Sequence, residues 1–101
     1  MRGSELDIRG ETLAAEERIG LHIRETPVER SLWLSGVGKC DAYLKLENLQ
    51  PSGSFKSRGV GNLMVRALAA SPSPETVHFY CSSGGNAGLA CATAALSLKR
   101  P

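Results

Sequence analysis

Gln50-Pro51-Ser52-Gly53-Ser54-Phe55-Lys56-Ser57-Arg58-Gly59 is a turn that runs into a helix. Pro51 and Gly53 mark the turn. Beyond them Val60, Leu63, Met64, Ala67 and Leu68 recur at the spacing of one helical face, which predicts an amphipathic helix from Lys56 to about Ala70. Ser71-Pro72-Ser73-Pro74 ends it. Lys56 therefore falls near the positive end of a helix dipole, which disfavours its protonated form, and partial burial would act in the same direction. An amine in that setting is a candidate nucleophile for a carbonyl, with a Schiff base as the usual product. The plain alternative is a solvent-exposed lysine in the first turn of a helix. Phe55 offers a flat face for a heteroaromatic ring. Ser52 and Ser54 are candidate caps or ligand donors.

Downstream, Thr76 to Cys81 reads as a short strand rich in β-formers. It runs into Ser82-Ser83-Gly84-Gly85-Asn86-Ala87-Gly88, and Asn86 to Leu98 reads as an alanine-rich helix, apolar on most sides and expected to be largely buried. Consecutive glycines before a helix leave backbone N–H groups free for an anion, where the dipole also favours negative charge. The plain alternative is a glycine turn that allows tight strand–helix packing. Asn86 is the more specific residue, because its amide can bind a phenolate or carboxylate oxygen or cap the helix. No lysine follows at the spacing of a nucleotide-binding P-loop, and G-x-G-x-x-G is absent. An amine corner and an N–H-lined corner together suggest a site for an anionic, carbonyl-bearing ligand.

Upstream, Asp41 to Glu47 alternates as a strand, with Ala42, Leu44 and Leu46 on one side and Tyr43 and Lys45 on the other. Ser31 to Ser35 reads as a short helix stopped by Gly36 and Gly38, and Leu21 to Arg24 as an edge strand. Thr26-Pro27 holds the chain extended. Residues 1–20 read as a polar extension without assured order, holding a short helix from Thr12 to Arg18 with Thr12 as N-cap. The β-α-β-α order points to an α/β fold with a parallel sheet and right-handed crossovers. Two such units cannot cover both faces of a sheet. The expectation is thus the N-terminal part of a longer enzyme.

The composition narrows the classes. The chain has 101 residues, a net charge of +2 with both signs mixed, and 42% hydrophobic residues, which fits one globular domain. No basic block or basic-aromatic stripe points to nucleic acid. No apolar run approaches a membrane span, and the acids near the start argue against a transit peptide. Three cysteines at wide, irregular spacing do not form a disulfide framework, and no zinc-ligand spacing occurs. Cys81 and Cys91 read as small core residues, and Trp33 as a packing anchor. Arg58 reads as a surface salt bridge or a structural pairing at a domain edge. His22 and His78 have no assigned role. The cytoplasm is the default compartment.

These residues together resemble the L-serine dehydratase and threonine dehydratase group of fold-type II pyridoxal-phosphate enzymes. Lys45-Leu46-Glu47-Asn48-Leu49 and the turn through Gly59 are similar to that group's cofactor-lysine signature. Cys81 to Gly88 is similar to its substrate-carboxylate loop, and Thr26-Pro27-Val28, Ser31 and Leu34-Ser35 to its opening segment. The resemblance covers roughly residues 21 to 101.

It implies a partial parallel three-layer sheet of the tryptophan synthase beta-like class, with residues 21–101 as the N-terminal part of a catalytic domain. It implies pyridoxal phosphate as cofactor and a small amino acid as substrate. Lys56 would hold the cofactor as a Schiff base and act as the base at Cα. Phe55 would lie against the pyridine ring, and Asn86 would bond the 3-hydroxyl. Ser83, Gly84, Gly85 and Ala87 would bind the substrate carboxylate. The implied reaction is β-elimination of L-serine, and of L-threonine, to a 2-oxo acid and ammonia, with a homodimer as the full-length form. Serine racemase and threonine dehydratase are the nearest alternatives, and a non-catalytic fragment is the alternative of another class. Gly84 departs from the alanine of many relatives and leaves more room. The family's phosphate loop, the residue facing the pyridine nitrogen and the monovalent-cation site would lie beyond Pro101. A chain ending there is expected to be inactive.

Overall fold

The computed structural model describes residues 6–101, so residues 1–5 of the expected extension lie outside the described residues. Helix α1 spans Ile8–Ile19. Its cap is Asp7, whose carboxylate accepts from Gly10 N at 2.9 Å. The helix therefore starts before the expected Thr12. Thr12 instead donates to Ile8 O at 2.6 Å within the helix, and the earlier aspartate satisfies the free N–H groups.

Strand β1 (Val28–Arg30) pairs antiparallel with β2 (Tyr43–Lys45), in the register Val28↔Lys45 and Arg30↔Tyr43. Between them lies α2 (Leu32–Gly38). Ser31 caps α2 by accepting from Leu34 N at 3.2 Å. Lys39 closes it in the left-handed region at φ 51°. A parallel sheet is expected from strands at 41–47 and 76–81 joined through the helix that starts at Lys56; among the described residues the paired strands are instead β1 and β2, which run antiparallel.

Helix α3 spans Lys56–Ala70 and α4 spans Asn86–Ser97. Both match the bounds read from sequence closely. The other strand expectations are corrected. Leu21–Arg24 is a turn, opened by His22 N donating to Ile19 O at 2.8 Å. Pro74–Thr76 is a 3₁₀ turn. Val77 to Cys81 is extended but joins no ladder among the described residues, and Phe79 N–H donates to Pro101 O at 3.1 Å. A strand needs a neighbour to satisfy its backbone, and none lies beside this stretch.

Helix α3 packs against both α1 and α4. Its buried residues are Ser57, Gly61 and Met64, a row at i, i+4 and i+7. Leu63, expected to face inward, is exposed. The buried face is thus rotated toward small residues, and Ser57 and Gly61 line a groove with Ala90 and Ala94 of α4. Ala90 is the buried residue of α4, while Leu89 and Leu96 are exposed, so the expectation of a largely buried helix is corrected. Trp33, expected as an anchor, is also exposed. Among the described residues the buried apolar side chains are Ile19, Met64 and Ala90. The accessible surface is 7644 Å², against roughly 5,500 Å² for a compact monomer of this mass. The radius of gyration is 16.8 Å, against about 13 Å for a compact domain of this length. Much apolar surface is therefore left open.

Candidate active site

The lysine corner is built from polar residues that close a turn. Gln50 is buried, with 4% of its surface exposed. Its amide donates to Arg24 O at 2.8 Å and accepts from Arg24 N at 2.8 Å, as a neighbouring strand would. It also donates to Glu47 Oε2 at 3.0 Å. Thr26 donates to the same carboxylate oxygen at 2.5 Å, and Lys45 Nζ donates to Thr26 O at 2.8 Å. Arg58 closes the set with a two-point ion pair to Glu47. Arg58, with Thr26 and Gln50 assisting, holds the Glu47 carboxyl down at about 2, against the opposing effect of burial. Glu47 in turn raises Arg58.

This frame fixes the turn that carries Lys56. Gly53 takes φ +87°, a left-handed conformation that glycine tolerates, and its N–H donates to Gln50 O at 2.8 Å. Ser54 is buried and its hydroxyl accepts from Lys56 N at 3.3 Å. Ser52 and Ser57 share a hydrogen bond at 2.5 Å between their hydroxyls. Both serines proposed as caps are thus tied into the turn. Lys56 is the first residue of α3, and its side chain is exposed rather than partly buried as expected. Its Nζ lies 5.7 Å from the centroid of the Phe55 ring, and that ring is also exposed.

The second corner is the loop before α4. Gly85 is the N-cap, Asn86 is the first helical residue, and no side chain caps the helix. Asn86 is exposed and does not serve as a cap. The loop is folded hard onto the helix: a Cβ at Gly88 would lie 2.2 Å from Ser83 O. At Gly84 a Cβ would meet no atom within 4 Å. Ser83, Gly84 and Gly85 line a groove of about 380 Å³ together with Phe79, Cys81 and Cys91. Lys56, Phe55, Asn86 and Ala87 do not line that groove.

The chain matches the family of pyridoxal-phosphate dependent enzymes over residues 19–99, a stretch that contains both corners. It belongs to that family. It is 53% identical over 81 residues to the L-serine dehydratase/L-threonine deaminase of Bos taurus, a match covering 80% of this chain and 23% of that protein. The human protein of the same name is 44% identical over 81 residues, again 80% of this chain and 23% of that protein. The L-serine dehydratase of Saccharomyces cerevisiae strain YJM789 is 44% identical over 79 residues, 76% of this chain and 23% of that protein. The chain thus spans about a quarter of the length of these relatives.

The residues present fit the family's cofactor in two respects. The reachable amine of Lys56 suits an aldehyde. The close seat of Ser83 on Gly88 keeps the loop at the helix N-terminus, where an anionic oxygen is favoured. Sequence reasoning missed the Glu47–Thr26–Gln50 frame. Its signal was the polar residues Glu47, Asn48 and Gln50 where the expected strand gives way to the loop.

Proposed function

We propose that this chain forms the lysine and carboxylate-loop corners of an L-serine dehydratase that also takes L-threonine. The observation that supports this most is the 53% identity to the bovine L-serine dehydratase/L-threonine deaminase, over a family match that holds both corners. Lys56 Nζ would bind the cofactor's aldehyde carbon and then move the proton at the substrate Cα. Phe55 would lie beside the ring, and the Asn86 amide would bond the 3-hydroxyl. Backbone N–H groups of Ser83, Gly84, Gly85 and Ala87 would orient the substrate carboxylate. Bound pyridoxal phosphate supplies the electron sink for the pair left at Cα. Loss of the β-hydroxyl then converts serine to pyruvate and ammonia, and threonine to 2-oxobutanoate and ammonia. The Glu47–Arg58 pair would act on none of these atoms, but would hold the turn on which Lys56 rides.

The proposal extends to the fold. Residues 21–101 would be the N-terminal part of the catalytic domain. The extended stretch Val77 to Cys81 would be a strand of its three-layer parallel sheet. Two features support that. Val77 and Phe79 are half-buried while His78 and Tyr80 are exposed, the alternation of a strand. His78 and Tyr80 stack with ring centroids 4.8 Å apart, as i and i+2 on one sheet face do. A homodimer and a cytosolic location belong to the same proposal, and the three free cysteines suit a reducing compartment. A second reading is favoured by the open surface and by the exposure of Lys56: this chain by itself is a non-catalytic piece of such an enzyme.

One experiment separates the readings. The full chain is incubated with pyridoxal phosphate, reduced with borohydride and mapped by peptide mass spectrometry, beside an assay of 2-oxo acid from serine. A label concentrated on Lys56, absent in Lys56→Ala, together with turnover supports the enzyme. Selective label without turnover supports the non-catalytic piece. Equal labelling of the exposed lysines would remove Lys56 from its role.

A further inference from the structure

Cys81 and Cys91 are brought together by the way the chain doubles back along α4. At one end of the helix Phe79 N–H donates to Pro101 O. At the other, Ser83 O sits where a Cβ on Gly88 would be. The stretch from Phe79 to Ser83 therefore runs antiparallel to α4, and Cys81 lies midway along it. The helix face turned toward it carries Gly88, Cys91, Ala92 and Ala95, and these line one groove with Phe79 and Cys81. This is the i, i+3, i+4, i+7 row of a helix. Cys91 is on that row, opposite the middle of the stretch. Cys81 is exposed, Cys91 is half-buried, and both are free thiols. Burial first, and then the neighbouring Cys81 thiol, push the Cys91 thiol above its ordinary pKa.

We propose that Cys81 and Cys91 form a dithiol modification site at the foot of the Ser82–Gly88 loop, closed to an intramolecular disulfide by exchange with a low-molecular-weight disulfide. Exposed Cys81 attacks first. Its thiolate displaces one half of the small disulfide as a thiolate and leaves a mixed disulfide on Cys81. Cys91 then gives its proton to solvent, and its sulfur attacks the Cys81 sulfur, releasing the second half. Two protein thiols become one disulfide while one small disulfide becomes two thiols, so electrons and protons balance. Cys91 is the resolving thiol because it is the less accessible and the harder to ionise. The bridge would tie the end of the extended stretch to the second turn of α4 and so hold the root of the loop. Cys40, exposed and away from this groove, serves as an internal control.

The test uses the reduced full chain and glutathione disulfide as probe, followed by alkylation and peptide mapping. The expected product is a Cys81–Cys91 linked peptide lighter by two hydrogens, with Cys40 still open to alkylation or carrying glutathione. Cys91→Ser should stop the reaction at a glutathione adduct on Cys81. Cys81→Ser should slow loss of the Cys91 thiol about tenfold. Phenylarsine oxide, which bridges two neighbouring thiols, should bind one per chain and fail with either variant. Adducts on all three cysteines with no linked peptide, together with arsenical binding that survives Cys91→Ser, would overturn the proposal. No step needs the cofactor or the lysine, so its failure is distinct from failure of the dehydratase reading.

Discussion

Gly88→Ala tests whether the Ser83–Gly85 loop is held by close backbone approach to α4. A Cβ there would lie 2.2 Å from Ser83 O and 3.1 Å from the Ser83 carbonyl carbon. A carbon–oxygen contact needs about 3.3 Å, so the loop must retreat by about 1 Å. Both clashing atoms are backbone, and no side chain can swing aside. Overpacking of this kind costs roughly 1–3 kcal/mol. Alanine returns up to about 1 kcal/mol through its better helix propensity. The net expectation is a loss of about 1–2 kcal/mol. With a denaturant slope of about 1.5 kcal/mol/M, the urea midpoint of the full chain should fall by about 1 M. Gly84→Ala is the control. A Cβ there meets nothing within 4 Å, so its stability should stay within about 0.5 kcal/mol of the parent. Far-UV circular dichroism against urea reads both. A Gly88→Ala midpoint equal to or above that of the parent would refute the close seating of loop on helix.

The acid limb of stability should report the Glu47–Arg58 pair. The carboxyl is held at about 2 against an ordinary 4.5, so its contribution is full above pH 4.5 and is lost as pH falls toward 2. That displacement is about 3 kcal/mol at full value, and water around the partly exposed Arg58 screens it to about half. Arg58→Met should move the acid unfolding of this region to higher pH, because Glu47 regains a near-ordinary pKa; an unchanged acid midpoint would remove the pair from the account. Gln50→Ala removes hydrogen bonds to both backbone groups of Arg24 and to Glu47 and should cost about 2–3 kcal/mol, read as a lowered urea midpoint and faster amide exchange at Arg24. Lys56→Ala touches an exposed side chain and should change stability by no more than about 0.5 kcal/mol, while abolishing the borohydride-trapped label; a fall in urea midpoint of 1 M or more would show that Lys56 serves the fold.

Helices α3 and α4 were legible because each opens at a sharp break and then keeps helical periodicity over many residues. Local signals suffice for that. The face α3 buries was not legible, since Leu63 is the more apolar residue but Ser57 and Gly61 are the ones that lie buried. The strand read at 41–47 holds β2, but the one read at 76–81 was misread for a related reason. Thr76 to Cys81 has strand composition and, from Val77 to Tyr80, strand alternation. Pairing, however, is a property of two segments, and no partner strand lies beside this one among the described residues. Gln50 shows the limit most plainly. Nothing in its spacing says that its side chain would replace a strand neighbour for Arg24. Candidate site residues were easier to nominate than their supports, because a lysine after a turn and glycines before a helix carry local physical meaning.

The two corners of the candidate site are secured by different means. Lys56 rides on a turn fixed by charge and hydrogen bonds from Glu47, Gln50, Ser54 and Ser57. The Ser83–Gly85 loop rests on the missing side chain of Gly88 and on uncharged hydrogen bonds, with Gly85 N–H donating to Ser83 Oγ at 3.1 Å. Salt and acid should therefore loosen the first corner and leave the second in place, while a single methyl group should do the reverse. What joins them is the packing of α3 on α4, where Ser57 and Gly61 line one groove with Ala90 and Ala94. These small residues bury little apolar area, and a Cβ at Gly61 would meet no atom within 4 Å, so the contact of α3 with α4 leaves open space at its centre while Leu89 and Leu96 of α4 stay exposed.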